Sequence, residues 1–365
     1  MKPAEDELSK ELDSKEEKKP KLDSTGKFIY ETANERINRA KSQDNPKQLV
    51  GSFWKEGELM VLFAYTGTGK TVFAYQIARN ISEGKSTFLD SSSCVVLQNE
   101  CEAKKVLYFD AELSDKQFQN RSSNEYKNCY TFSDNLFMMQ MYRDAKLGDD
   151  ESFSKSIIPV IENAVIKDKI EVVIIDNLHC LEENLEKSKD AKPLMDSLVN
   201  IKRKHNVSLM IIGHTPKQHL FQEMQLKDLQ GSSAISVQLD TCISIGNSVK
   251  GDNIKYLKEV KIRDGQYFFG RDNVITVEIH KNNSNLLEMK FISFGDELEH
   301  LKSKDEIKAV VEEETKNGSS VRDIANSIGF SKSYVNKLQL EDSVSKNRLV
   351  DSVDKVDTKN NHNGT

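Results

Sequence analysis

The sequence predicts an α/β protein built on a mainly parallel sheet with helices on both faces. Three observations carry this. Apolar, strand-like runs alternate with segments of helical spacing, which puts crossover helices between parallel strands. A glycine-rich turn joins one such run to the helix that follows. A second run, Val172-Val173-Ile174-Ile175, is rich in β-branched residues and ends on a carboxylate, Asp176.

Taken in order, Leu59 to Phe63 reads as a buried strand and Val72 to Ile81 as a helix. Val106 to Asp110 is a second strand, and Leu136 to Met141 a third. Ile157 to Ile166 has helical spacing. Val172 to Asp176 is a central strand, Leu194 to Lys204 a helix, and Val207 to Gly213 the next strand. From Thr241 to Phe291 short strands recur with turn signals at Gly251-Asp252-Asn253 and Asp264-Gly265. Such a run without intervening helices predicts antiparallel strands added at one sheet edge. Ser86 to Lys105 reads as a Ser-rich surface excursion.

The organisation read from composition has four parts. Residues 1–27 mix Lys with Glu and Asp and lack an apolar period, so a disordered tail is expected. Residues 28–294 carry the α/β pattern, 296–340 read as short helices, and 341–365 form a second polar tail. No run approaches the roughly 18 apolar residues of a membrane span, and the charged N-terminus is no signal peptide. Five cysteines without paired spacing read as reduced thiols, and a cytoplasmic protein is expected. A net charge of −6 puts any nucleic-acid contact on local basic surface.

The chemistry is densest at Ala64-Tyr65-Thr66-Gly67-Thr68-Gly69-Lys70-Thr71. A small residue followed by Gly-Lys-Thr, between a strand and a helix, fits a phosphate-binding loop. There the backbone and the positive helix end face a polyphosphate. Lys70 is expected on the β- and γ-phosphates of ATP, and Thr71 on Mg²⁺. Asp176, at the end of its strand, is the expected carboxylate beside that Mg²⁺. The next residue is Asn177, so the group that activates water must come from elsewhere. Glu112, just past the second strand, lies at the edge where open α/β sheets bind ligands.

These features together resemble RecA-like ATPases, and three further segments resemble the hexameric replicative helicases of the DnaB and plasmid RepA type. Leu209-Met210-Ile211-Ile212-Gly213-His214-Thr215-Pro216-Lys217 is similar to the strand that ends there on a polar γ-phosphate sensor, which implies that role for His214. Leu226-Lys227-Asp228-Leu229-Gln230-Gly231-Ser232-Ser233-Ala234-Ile235 resembles the segment that follows their channel-facing loop, with Gln230 where they carry Arg. Lys261-Ile262-Arg263-Asp264-Gly265 resembles their Lys-x-Arg-Asn-Gly turn. That resemblance implies that Lys261 and Arg263 reach the nucleotide of a neighbouring subunit. It further implies a homo-oligomer, on the pattern of those hexameric rings, with single-stranded DNA in its channel.

The C-terminal part carries a separate signal. Ala325, Gly329, Val335 and Leu338 fall at the spacings of a helix-turn-helix, with Val321, Ile324 and Ile328 completing the first apolar face. Ser331 is placed to cap the second helix. Lys332, Ser333, Tyr334, Asn336 and Lys337 are expected on its exposed face, suited to phosphates and base edges of duplex DNA. A helical module for protein contacts is the competing reading, kept open by Glu312, Glu313, Glu314 and Asp323. Two function classes fit the whole chain: an ATP-driven DNA motor or replication ATPase, and an ATP-dependent DNA-binding switch without unwinding activity.

Overall fold

The computed structural model describes residues 22–89, 94–142, 153–177, 188–215, 220–230, 233–328 and 330–340. Expectations resting on 1–21, Cys180, Pro216, Lys217, Gly231, Ser232, Gly329 and 341–365 lie outside them. The chain divides into two units, 1–47 and 48–365. The first contains a turn closed by Asp23, whose carboxylate accepts the Lys27 and Phe28 N–H groups. It also contains helix α1, Ala33–Ala40, which starts in a capping box between Thr32 and Glu35.

In the second unit, β1 (Gln48–Val50) and β2 (Trp54–Lys55) form a small antiparallel pair. β3 (Leu59–Ala64) is buried at every residue and runs into helix α2 (Lys70–Glu83). A hairpin of β4 (Phe88–Leu89) and β5 (Val95–Leu97) follows. It is less of an excursion than its Ser-rich composition implies. Leu97 is buried, and the Phe88 ring stacks on Phe73 at 5.6 Å. Then come β6 (Val106–Asp110), helix α3 (Asp115–Arg121), β7 (Leu136–Met139) and helix α4 (Phe153–Asp168). β8 (Val172–Asp176), helix α5 (Ser188–His205), β9 (Ser208–His214) and the short helix α6 (Ser233–Gln238) complete the alternating part.

The main sheet has the order β13-β12-β11-β10-β3-β9-β8-β6-β7. From β10 (Thr241–Ser248) to β7 all neighbours are parallel. β11 (Gly251–Ile262), β12 (Val274–Lys281) and β13 (Leu287–Gly295) extend the sheet antiparallel at one edge. This is the expected α/β class, a mainly parallel sheet with antiparallel strands added at one edge. Alternation along each strand divides the core. Leu59, Val61 and Phe63 face helices α4 and α5, whereas Met60, Leu62 and Ala64 face α2 and the β1–β2 pair. Trp54 is fully buried in that second core and donates its indole N–H to Glu58 O at 3.2 Å. Its role is packing.

Residues 297–301 are held by the sheet. Glu297 is buried and accepts from Lys258 Nζ, Tyr256 Oη and Met224 N. His300 is buried between Ser248 Oγ at 2.8 Å and Thr276 Oγ1 at 3.1 Å. Helices α7 (Lys304–Lys316), α8 (Val321–Ile328) and α9 (332–340) then share a small core of Ile307, Val311, Ile324, Ala325, Ile328, Val335 and Leu338. Phe221 packs against this core, with its ring 6.4 Å from that of Phe330.

Candidate functional site

Parallel strands put all their C-terminal ends on one edge, and four of these ends build the site. Ala64 ends β3 beside His214 at the end of β9. Asp110 ends β6 beside Asp176 at the end of β8. The loop after β3 turns through Gly67 and Gly69, both at positive φ, +78° and +104°. A side chain would be strained at either position. At Gly69 a Cβ would also lie 2.7 Å from Ile279 Cδ1. Helix α2 starts at Lys70 with Gly69 as its cap and no side chain closing its first turn. Its leading N–H groups therefore face the loop, as anion binding requires.

Lys70 is buried, and its Nζ donates to the carbonyls of Ala64 at 3.1 Å and Tyr65 at 3.0 Å. Burial pushes its amine down to about 8, while Glu112 and Asp176 pull the other way. Asp176 is 1% exposed. Its Oδ2 accepts the Tyr108 hydroxyl at 2.8 Å, and its Oδ1 is buried without a hydrogen-bond partner. Burial pushes its carboxyl up to about 6, opposed by the Tyr108 and Thr71 hydroxyls. Thr68 Oγ1 is buried and unpartnered as well. These orphaned oxygens, and a carboxyl that burial raises, are what a site looks like when its design includes a cation and phosphates.

Glu112 stands past β6, half-exposed, and the His214 imidazole approaches it to 3.5 Å. Asn177 donates its side-chain amide to the same carboxylate. His214 holds the Glu112 carboxyl below the usual carboxylate range, against the effect of its burial. Glu112 is thus ionised at neutral pH, the state a general base needs. Asp110 is 2% exposed. Its Oδ1 accepts the N–H groups of Glu112 and Leu113 at 3.0 and 2.9 Å, and its Oδ2 accepts the Tyr75 hydroxyl. It holds the backbone that carries Glu112.

The structure therefore brings together the loop 64–71, Asp176, Glu112 and His214, all expected from the sequence. Tyr75, Tyr108 and the amide role of Asn177 were missed. Tyr108 could have been noticed, because a hydroxyl inside an otherwise apolar buried strand must find a partner. The donors fit ATP and Mg²⁺. Among the described residues no cluster of three or more His, Cys, Asp or Glu could hold a metal. One carboxylate and one hydroxyl suit an ion that shares its shell with phosphates and water, as Mg²⁺ does.

Two sets of expected residues lie elsewhere. Lys261 Nζ donates to Ser236 O and Arg263 Nη2 to Val237 O, both at 2.5 Å, in the last turn of α6. Arg263 also pairs with Asp240 at 3.1 Å. Asp240 in turn accepts the N–H of Leu59, the first residue of β3. These cations thus sit at the sheet edge opposite the loop. On α9, Lys332, Ser333, Asn336 and Lys337 are exposed. Tyr334 corrects the expectation: it is partly buried, and its ring stacks on Phe330 at 4.4 Å.

The fold and this site define a P-loop ATPase. Residues 30–219 match the AAA domain family, and the chain belongs to it. No curated protein matches the chain. Among solved structures it is similar to a KaiC-like protein of the hyperthermophilic archaeon Pyrococcus horikoshii OT3. The two are 14% identical with a TM-score of 0.42, over 65% of this chain and 90% of that one. No helix among the described residues is long and apolar enough to cross a membrane.

Proposed function

We propose that this ATPase is a DNA-associated motor or replication ATPase of the DnaB/RepA kind, working in the cytoplasm as a ring of identical copies. In this reading Lys70 holds the β- and γ-phosphates, Thr71 and Asp176 hold Mg²⁺, Glu112 takes the proton of the attacking water, and His214 senses the γ-phosphate. Bound Mg²⁺ would supply charge neutralisation on the transferring phosphoryl group.

The observation that carries the reading is the separation of the loop from Lys261 and Arg263. Asp240 ties Arg263 to Leu59, at the start of β3, and the loop follows Ala64 at its end. Five residues of strand span roughly 17 Å. The two cations are therefore on the wrong edge for their own nucleotide, which supports a role at another copy's. A cation supplied in that way couples hydrolysis to assembly. Duplex DNA would meet Lys332, Ser333, Asn336 and Lys337 on α9, held outward because Val335 and Leu338 are buried.

A DNA-binding switch without unwinding activity is the second reading. Phe221 favours it: this residue follows His214 by less than two helical turns of sequence, yet packs against the C-terminal core. Strand displacement by the purified protein separates the two, and electron microscopy with an ATP analogue and single-stranded DNA reads the assembly directly. For the site itself, Lys70→Ala should abolish hydrolysis and weaken nucleotide binding. Hydrolysis at the wild-type rate would sink the assignment.

A further inference from the structure

Behind the loop, two tyrosines from different elements are stacked. The rings of Tyr75, on α2, and Tyr108, on β6, lie 4.1 Å apart and 11° from parallel. Their hydroxyls go to different carboxylates. Tyr108 donates to Asp176 Oδ2 at 2.8 Å, and Tyr75 donates to Asp110 Oδ2. The second oxygen of each carboxylate has a different fate. Asp176 Oδ1 stays buried without a partner, whereas Asp110 Oδ1 accepts the N–H groups that start the Glu112 segment. One stacked pair is thus joined to both halves of the hydrolytic apparatus.

We infer that Tyr108 and Tyr75 are positioning residues of the ATPase site. Tyr108 occupies one oxygen of Asp176 and so presents the other to the cation. Tyr75 fixes Asp110, and through it the backbone that aims Glu112 at water. Stacking locks the two rings, and therefore the two carboxylates, in one mutual geometry. Burial raises the pKa of both phenols, so both remain donors at any working pH. A carboxylate with both oxygens free to rotate would bind a cation in several orientations. With one oxygen pinned it has a single orientation to offer, the function that outer hydrogen bonds serve around metal ligands. The bland alternative is that each hydroxyl merely needed an acceptor in the core.

This inference rests on Asp176 being the cation carboxylate, and the experiment tests the two separately. Binding of a fluorescent ATP analogue to the full chain is measured with and without Mg²⁺, and turnover is measured alongside. Tyr108→Phe keeps the ring and loses the donor. It should reduce the affinity gain from Mg²⁺ by about tenfold, the scale of one hydrogen bond to a charged group, and leave Mg²⁺-free affinity unchanged. Tyr75→Phe leaves the Asp176 donor in place and should give the opposite split. The Mg²⁺ gain is kept, and turnover at saturating nucleotide falls by about tenfold. Tyr256→Phe, which loses a buried hydroxyl donated to Glu297 at 3.1 Å and to neither Asp176 nor Asp110, serves as the control for a purely structural loss. Should Tyr108→Phe lose stability like Tyr256→Phe but keep the full Mg²⁺ gain, while Asp176→Asn loses it, the positioning role is overturned. If Asp176→Asn also keeps the gain, the cation site was misassigned and the inference falls with it.

Discussion

Glu112 and His214 meet at 3.5 Å between the ends of β6 and β9, across the end of β8, whose Asn177 donates to the same carboxylate. A carboxylate held by two neighbours yet half-exposed can be ionised, oriented and still reach solvent. Neither a fully buried acid nor a free surface acid meets all three conditions.

Glu112→Gln should therefore bind nucleotide normally and turn over about 10²-fold or more slowly, because an amide cannot take a proton from water. Asp110 does not replace it, since both of its oxygens are committed and it is 2% exposed. Near-normal turnover in a steady-state assay would place water activation outside this group.

Asp176→Asn should stabilise the nucleotide-free protein while removing its Mg²⁺ response. Burial raises this carboxyl from 3.8 to about 6 in the folded chain. The folded state then holds the proton more tightly than the unfolded one. The stability this contributes is complete below about pH 4 and is lost as pH rises through about 6. The charged form above that range costs about 3 kcal/mol by linkage. Thermal melts of the two proteins should coincide near pH 4 and separate by several degrees by pH 7, with the variant higher. Parallel curves across this range would show that the carboxylate is not strained in the free site.

Arg263→Ala should lose ATPase activity with nucleotide affinity retained, because the guanidinium would act on the transition state in another copy. Mixing it with Lys70→Ala should restore some turnover, since a mixed assembly pairs an intact loop with an intact Arg263. Light scattering must first show that mixed assemblies form. Arg263 also holds Asp240 and the last turn of α6, so the melting temperature is recorded alongside. Normal hydrolysis by Arg263→Ala alone would reduce the residue to a helix cap.

Truncation after Leu301 should keep ATP binding and weaken duplex DNA binding, compared at one salt concentration. Unchanged duplex affinity would favour a module for protein contacts. A cut after Phe294 is a poor test, because it removes Glu297 and leaves the Lys258 ammonium buried without its carboxylate. That loss costs roughly 3–5 kcal/mol.

The loop, the Asp176 strand and the alternation of helices and strands were legible because each is a local pattern. A glycine turn between an apolar run and a helix has few other uses, and β-branched runs of four residues rarely fold otherwise. Glu112 was legible because parallel strands collect their ends at one edge, and His214 through the resemblance of its strand to one that ends on a polar sensor. The tyrosine pair was not, because its stacking joins α2 to β6 and no spacing records that meeting. Tyr334 was misplaced for a different reason. A helical wheel projects it outward, but Phe330 one turn earlier provides a ring to stack on, and the contact turns it in. Arg263 was recognised by its turn. Its anchoring by Asp240 at the start of β3 was beyond the sequence, because it depends on the register of β10 against β3.

The placement of the loop and of Arg263 at opposite sheet edges also constrains symmetry. Two copies related by a twofold axis can match these groups only side by side and antiparallel, each loop against the other's Arg263, and such a pair is closed. In the ring reading proposed above the trans contact is instead heterologous, head to tail, so it either closes into a ring or continues as a helical filament. Any open assembly carries one unmatched loop at one end and one unmatched Arg263 at the other. A pair of copies then has one complete site, and a longer open chain is complete at every junction but at neither terminus. Activity per chain should accordingly rise with protein concentration and level off only where ends become rare or the ring closes.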